Sequence, residues 1–166
     1  AQQNYAYNQG CYPFTQMKFG CYQDVLGQST NCNDIPLMRI EEMYLILAEA
    51  QAMAGDVSAA ANTLQDFVRT YRDPQYTCNY TEAEEVRNAV WQQRRIELWG
   101  EGFSYFDILR MNKNVDRRGA GFAPEVTFNI PAGDDALIFC LPEKEIQSNP
   151  ALTDTDNNPT PTRPQP

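Results

Sequence analysis

Residues 36–74, PLMRIEEMYLILAEAQAMAGDVSAAANTLQDFVRTYRDP, decide how this chain is read. Two helical patterns stand either side of Gly55-Asp56. In the first, Leu37, Ile40, Tyr44 and Leu47 share one face, while Met43, Ile46, Ala50 and Met53 share another. A helix apolar on two faces is expected to be covered on two sides. Asp34 is placed to cap it, and Pro36 suits a first turn, where its missing N–H needs no partner. Gly55 can end it in the left-handed conformation, and Asp56 caps the second helix. There Val57, Ala60, Ala61, Leu64, Phe67, Val68 and Tyr71 follow the i, i+3, i+4, i+7 rule, until Asp73-Pro74 stops the pattern. The pair forms a helical hairpin of tetratricopeptide-like length, and a lone unit of that kind needs neighbours to bury its apolar faces.

Outward from this hairpin, Thr81-x-x-Glu84 has the form of a capping box opening a third helix. That helix runs to about Trp99, with Val86, Ala89, Val90 and Ile96 inward. Gly100 and Gly102 mark a break before a short fourth helix near Phe103 to Met111. Residues 112–136 read as irregular. Ala136 to Leu141 reads as a short buried strand stopped by Pro142, followed by one helical turn at 142–146. The fold class is therefore mostly α, with tetratricopeptide-like helical hairpins, irregular loops and a few short strands. Three regions follow: a loop-rich, cysteine-containing segment over 1–35, a helical region over 36–152, and a Pro-rich extended tail over 153–166.

Composition narrows the function. The chain has 166 residues, a net charge of −9 and no histidine. The negative balance argues against nucleic acid and anionic lipid, both of which need clustered Lys and Arg. Without histidine, Ser–His–Asp and Cys–His nucleophile arrangements and imidazole metal sites are excluded. No apolar run reaches membrane-spanning length, and no signal peptide opens at Ala1, so the chain is expected to be mature, trimmed or a fragment. Five cysteines, at 11, 21, 32, 78 and 140, leave at least one free or paired between chains. The three in the first region suggest local staples and an oxidising compartment. Neither their spacing nor the carboxylates mark a zinc site, so no metal and no cofactor is expected.

Several charges stand among apolar residues: Arg39, Glu42, Arg94, Arg95, Glu97, Glu101 and Asp107. Arg39 and Glu42 are spaced i, i+3, as are Arg94 and Glu97, so each pair can meet on one helix face. They are read as a structural network fixing helix against helix rather than as acid/base groups, because buried charge needs a partner. Asp154-x-Asp156-x-Asn158 imitates the start of a calcium loop, but Pro159 stands where glycine is required. Asn79-Tyr80-Thr81 fits a glycosylation acceptor, and Arg118-Gly119-Ala120-Gly121 is a phosphate-loop candidate without the flanking strand and helix. Trp91 and Trp99 are read as core or interface. Tyr5, Tyr7, Tyr12 and Tyr22 concentrate aromatic faces in the first region, suited to stacking on sugar rings or to covering the outer side of the first helix.

Three blocks, in order, carry a family likeness. Residues 36–50 resemble the PLxRxAExxLxxAEA stretch of the SusD/RagB family. Gln93-Arg94-Arg95-Ile96-Glu97-Leu98-x-x-Glu101-Gly102-Phe103-x-x-Phe106-Asp107-x-x-Arg110 resembles its RRxELxxEGxRxFDLxR stretch. Leu141-Pro142-x-x-Glu145-Ile146-x-x-Asn149-Pro150-x-Leu152 resembles its closing IPxxEIxxNPxL. Ile40-Glu41 and Ser104 depart from the pattern without affecting the fold. The larger departure is length, since family members are much longer and the matching blocks lie in their C-terminal part.

The resemblance implies a surface lipoprotein of Bacteroidetes-type bacteria, lipid-anchored to the outer membrane through a segment absent from this chain. It implies a SusC-like TonB-dependent transporter as partner, an oligosaccharide or other nutrient as ligand, and packing against the N-terminal remainder of the same protein. It implies binding rather than catalysis, with no catalytic residues. The competing expectation is a non-enzymatic interaction scaffold that docks partners on the helical hairpin. A carboxylate-based hydrolase is a third, with nothing in the spacing that pairs two carboxylates.

Overall fold

Helix boundaries in this chain follow from local chemistry, and the packing follows from small residues. The computed structural model describes residues 18, 37–119, 121 and 123–159. The chain divides into two units, Ala1–Arg39 and Ile40–Pro166. The second contains α1 (Ile40–Met53), α2 (Val57–Tyr71), α3 (Ala83–Glu97), α4 (Phe103–Arg110) and a short α5 (Glu143–Ser148). Among the described residues, the only sheet is an antiparallel hairpin of β1 (Val115–Asp116) and β2 (Asn129–Ile130), in register Val115 with Ile130. The architecture is mostly helical. No described helix is long and apolar enough to cross a membrane.

The α1–α2 turn forms as its residues dictate. Gly55 has φ +88°, a conformation that costs an L side chain free energy. The Asp56 carboxylate then accepts a hydrogen bond from the Ala59 amide at 3.1 Å, satisfying one of the unpaired donors that open α2. Across the hairpin, the Thr63 hydroxyl donates to Gln51 Oε1 at 2.8 Å, and Tyr44 stacks on Phe67 with ring centroids 5.5 Å apart.

Other boundaries differ from the sequence expectations. Helix α1 begins at Ile40, after non-helical residues 37–39, rather than near Asp34. Pro36 tolerates a first turn without enforcing one, and Glu41 and Glu42 supply the negative charge that a helix start favours. Asp34 and Pro36 themselves lie outside the described residues. The capping box at Thr81 is not formed: Glu82 is the N-cap, with no side-chain hydrogen bond. Glu84 instead reaches Arg87 at 2.7 Å. Residues 136–141 form no strand, because the Asp134 carboxylate caps the Ala136 amide at 2.8 Å and winds 135–137 into a 3-10 turn. Leu137 is buried there while Ile138 and Phe139 are exposed. The segment read as irregular contains the β1–β2 hairpin.

The core lies between α1, α2 and α3. Leu45, Ala48 and Ala52 of α1 meet Ala60, Leu64, Phe67 and Val68 of α2 and Val86, Ala89 and Val90 of α3. Alanines at 48, 52, 60 and 61 let backbones approach closely, and the larger Leu45, Leu64, Val86 and Val90 fill the space between. The buried stripe of α1 is neither face expected from its spacing. Ile40, Ile46, Leu47 and Met53 are all exposed, as are Ile96 and Trp99. An almost uniformly apolar helix has no preferred inward face until a partner chooses one. The Cys78 thiol is buried, which pushes its pKa up, and Cys140 is exposed; both are free. Cys11, Cys21 and Cys32 lie outside the described residues.

Candidate functional site

Among the described residues, Glu49, Arg94 and Asp107 are the buried charges, and they meet at one place. Glu42 and Glu49 sit seven residues apart on α1, hence on one side of it. Asp107 and Arg110 are i, i+3 on α4. Arg94, on α3, is buried with 4% exposure. Its Nε donates to Asp107 Oδ2 at 2.8 Å, and its Nη2 lies 3.5 Å from Glu42 Oε1. Arg110 donates from Nε to Asp107 Oδ1 at 2.8 Å and grips Glu49 with both terminal nitrogens, at 2.6 and 2.9 Å. The result is a closed circuit, Glu42–Arg94–Asp107–Arg110–Glu49, that begins and ends on α1 and ties it to α3 and α4. The Glu49 hydrogen bonds, with Asp107 adding to them, raise the pKa of Arg110 above its ordinary value.

A second set joins the helix ends. Arg72, just after α2, binds Glu97 of α3 at 2.6 and 2.8 Å and Glu41 of α1 at 3.4 Å. Glu41 and Glu42 thus serve two different networks. Arg95 stacks over Trp91 at 5.0 Å from the ring centroid, and Lys113 approaches the same ring at 5.6 Å. Arg39 precedes α1 and Glu101 lies in the α3–α4 turn, both engaged with neighbours. Arg94 thus meets Asp107 of α4 and Glu42 of α1, and Glu97 meets Arg72, all contacts beyond the single helix face that the i, i+3 spacing considered. The contributions of Glu49, Arg72 and Arg110 escape a spacing search limited to one helix. Arg110 stands three residues after Asp107, and Glu49 seven after Glu42, which is the signal available for them.

Both oxygens of Asp107 and both of Glu49 accept guanidinium hydrogen bonds. Among the described residues, no group of three or more His, Cys, Asp and Glu is arranged to hold a metal ion. Asp156 accepts from both the amide and the hydroxyl of Thr153 at 2.8 Å, closing a capped turn where the calcium-loop pattern begins. In the would-be phosphate loop, Arg118 pairs with Asp116 at 2.7 Å.

Clefts open beside these elements among the described residues. One, of about 530 Å³, combines the circuit's charged residues with Ile46, Met53, Phe103 and Phe106. Arg94 lines it, whereas Arg95 and Glu97 do not. Another, of about 580 Å³, lies at the start of α2 and is edged by Asp56, Ser58, Asn62, Asn79, Tyr80 and Thr81. Tyr5, Tyr7, Tyr12 and Tyr22, the tyrosines proposed from sequence as ligand contacts, lie outside the described residues.

The described residues thus form a mostly helical unit whose helices are joined by ion pairs. The sequence profile of the SusD family matches residues 1–160, and the chain belongs to that family. It is 33% identical over 141 residues to SusD-like protein P2 of Formosa agariphila, covering 80% of this chain and 27% of the relative. SusD-like protein P38 of the same organism is 26% identical over 101 residues, covering 57% of this chain and 20% of the relative. The solved SusD-like carbohydrate-binding protein of Bacteroides vulgatus superposes with a TM-score of 0.60 at 26% identity, over 76% of this chain and 31% of that one. The chain thus spans less than a third of the length of each relative it matches here.

Proposed function

We propose that this chain is part of a cell-surface protein that captures a glycan or other nutrient for import through a partner TonB-dependent outer-membrane transporter, without chemically altering it. Membership of the SusD family carries this reading, and the carbohydrate-binding relative from Bacteroides vulgatus supports the class of ligand. The protein would sit on the outer membrane, held by a lipid anchor. Recognition would fall to loops around the ion-locked helices. Tyr5, Tyr7, Tyr12 and Tyr22 are the proposed stacking residues, since an aromatic face matches the apolar face of a sugar ring. The cleft at the start of α2, with its amides, hydroxyls and the half-exposed Tyr80, offers hydrogen-bonding groups of the kind a hydroxyl-rich ligand pairs with.

Calorimetry of the full-length protein against a panel of oligosaccharides tests this. Binding of at least one glycan is expected, weakened by alanine at Tyr5, Tyr7, Tyr12 and Tyr22, with no shortening of the sugar on incubation. Failure of every glycan to bind, or release of cleaved product, would overturn the reading. The exposed apolar residues of α1 favour a second reading, a scaffold that docks other proteins on its helices. It predicts a partner retained with or without sugar.

A further inference from the structure

Arg95 stands apart from the paired arginines. Arg72, Arg87, Arg94 and Arg110 each meet a carboxylate. Arg95 is exposed and meets none among the described residues; its guanidinium lies over the Trp91 ring, 5.0 Å from the centroid. A guanidinium is weakly hydrated, and its planar fork of donors fits an oxyanion. The ring beneath it narrows the side-chain freedom that binding would otherwise cost. The surroundings are basic, in a chain whose net charge is −9. Arg87, Trp91 and Arg95 follow at intervals of four along α3 and so share one side of it. Lys113, from the segment after α4, brings its ammonium to 5.6 Å from the same ring. Glu84 opposes these cations and is held by Arg87 at 2.7 Å and Lys113 at 3.4 Å. Glu97, at the end of the helix, is taken by Arg72. Three cations thus gather against one carboxylate. Salt screens charge over about 8 Å under physiological conditions, so a ligand on this side feels the local surplus more than the distant acids. One turn beyond Arg95, Trp99 is 48% exposed.

An exposed indole beside an unpaired guanidinium limits the occupant. A neutral sugar covers the indole and leaves the guanidinium without a counter-charge. An acidic peptide brings the charge without the flat C–H face of a pyranose. A sugar ring bearing a carboxylate or sulfate uses both groups. We propose that the outer side of α3, from Arg87 to Trp99, is a binding face for an acidic oligosaccharide. Trp99 is the stacking platform, Arg95 receives the anionic group, and Arg87 and Lys113 supply the surrounding positive field. This inference rests on the nutrient-capture reading. It names the class of sugar and adds a helical face to the loops.

An array of acidic and neutral glycans, followed by calorimetry, tests this on the full-length gene product that contains this chain. The calorimetric probes are an oligogalacturonate, a sulfated carrageenan oligosaccharide and a neutral galacto-oligosaccharide. Glycans carrying carboxylate or sulfate are expected to bind, the first two probes separating those groups, and to bind less tightly as salt is raised. Arg95→Gln and Trp99→Ala are each expected to weaken acidic glycans about tenfold or more, with Tm unchanged. Arg95→Lys, which keeps the charge but loses the fork, is expected to recover part of the loss. Binding of neutral glycans alone overturns the proposal and leaves nutrient capture standing. So does acidic-glycan binding that survives both substitutions, a fall in Tm that accounts for the lost affinity, or equal binding of poly-glutamate. Failure of every glycan to bind overturns the proposal together with the reading it rests on.

Discussion

Asp107 is the residue on which the circuit turns. It is 3% exposed and accepts from two arginines, each at 2.8 Å. Asp107→Ala would leave buried Arg94 with only the 3.5 Å contact to Glu42. Removing one partner of a buried pair exposes the full desolvation cost of the other, so the expected loss is about 3–5 kcal/mol in urea unfolding. A loss under about 1 kcal/mol would mean the circuit is solvated and weak. The combined Arg94→Met, Asp107→Leu variant is expected to lose less than Asp107→Ala alone, because the most deeply buried cation is then removed rather than stranded. Tyr76 makes a second case. Burial, chiefly, and then the neighbouring Cys78 and Tyr80 push its pKa from about 10 to about 12, against a hydrogen bond from Gln93. Between those values the unfolded chain loses the phenolic proton while the folded one keeps it. The contribution of Tyr76 is therefore whole below pH 10 and lost as pH rises through about 12. Stability measured across that range is expected to fall, and Tyr76→Phe to flatten the fall.

At the scale of elements, protection should follow the shared core. Helices α1, α2 and α3 contribute nearly all the buried apolar side chains, whereas beyond α4 only Met111 and Leu137 are buried hydrophobics among the described residues. Native-state hydrogen exchange should therefore place Leu45, Leu64 and Val90 among the slowest amides, opening only with global unfolding. The β1–β2 hairpin, two residues a strand, should exchange by local opening. Equal protection of Ile130 and Leu64 would contradict this order. The same contrast separates the elements legible in sequence from those that were not. Helix α2 has a clean apolar stripe, a cap at Asp56 and a stop at Asp73-Pro74, all local signals. The run 136–141 looks like a strand by composition, but a strand needs an edge to pair with, and Asp134 caps a turn instead. The hairpin at 115–130 is too short for an alternating pattern to register.

Across the whole molecule, the family likeness rests on three blocks whose charged positions are geometric. The Arg94, Asp107 and Arg110 of one block meet the Glu42 and Glu49 of another. The sequence by itself determined which segments are helical and the break at Gly55-Asp56, because a cap and a glycine at positive φ act within a turn or two of chain, whereas the starts of α1 and α3 did not follow the expected caps. It also determined the acidic, histidine-free character that excludes whole classes of chemistry. Only the tertiary structure decided which face of α1 turns inward and which acid meets which arginine. A helix apolar on most sides carries no preferred face, and a contact such as Glu49 to Arg110 joins residues 61 apart, beyond the reach of any local signal.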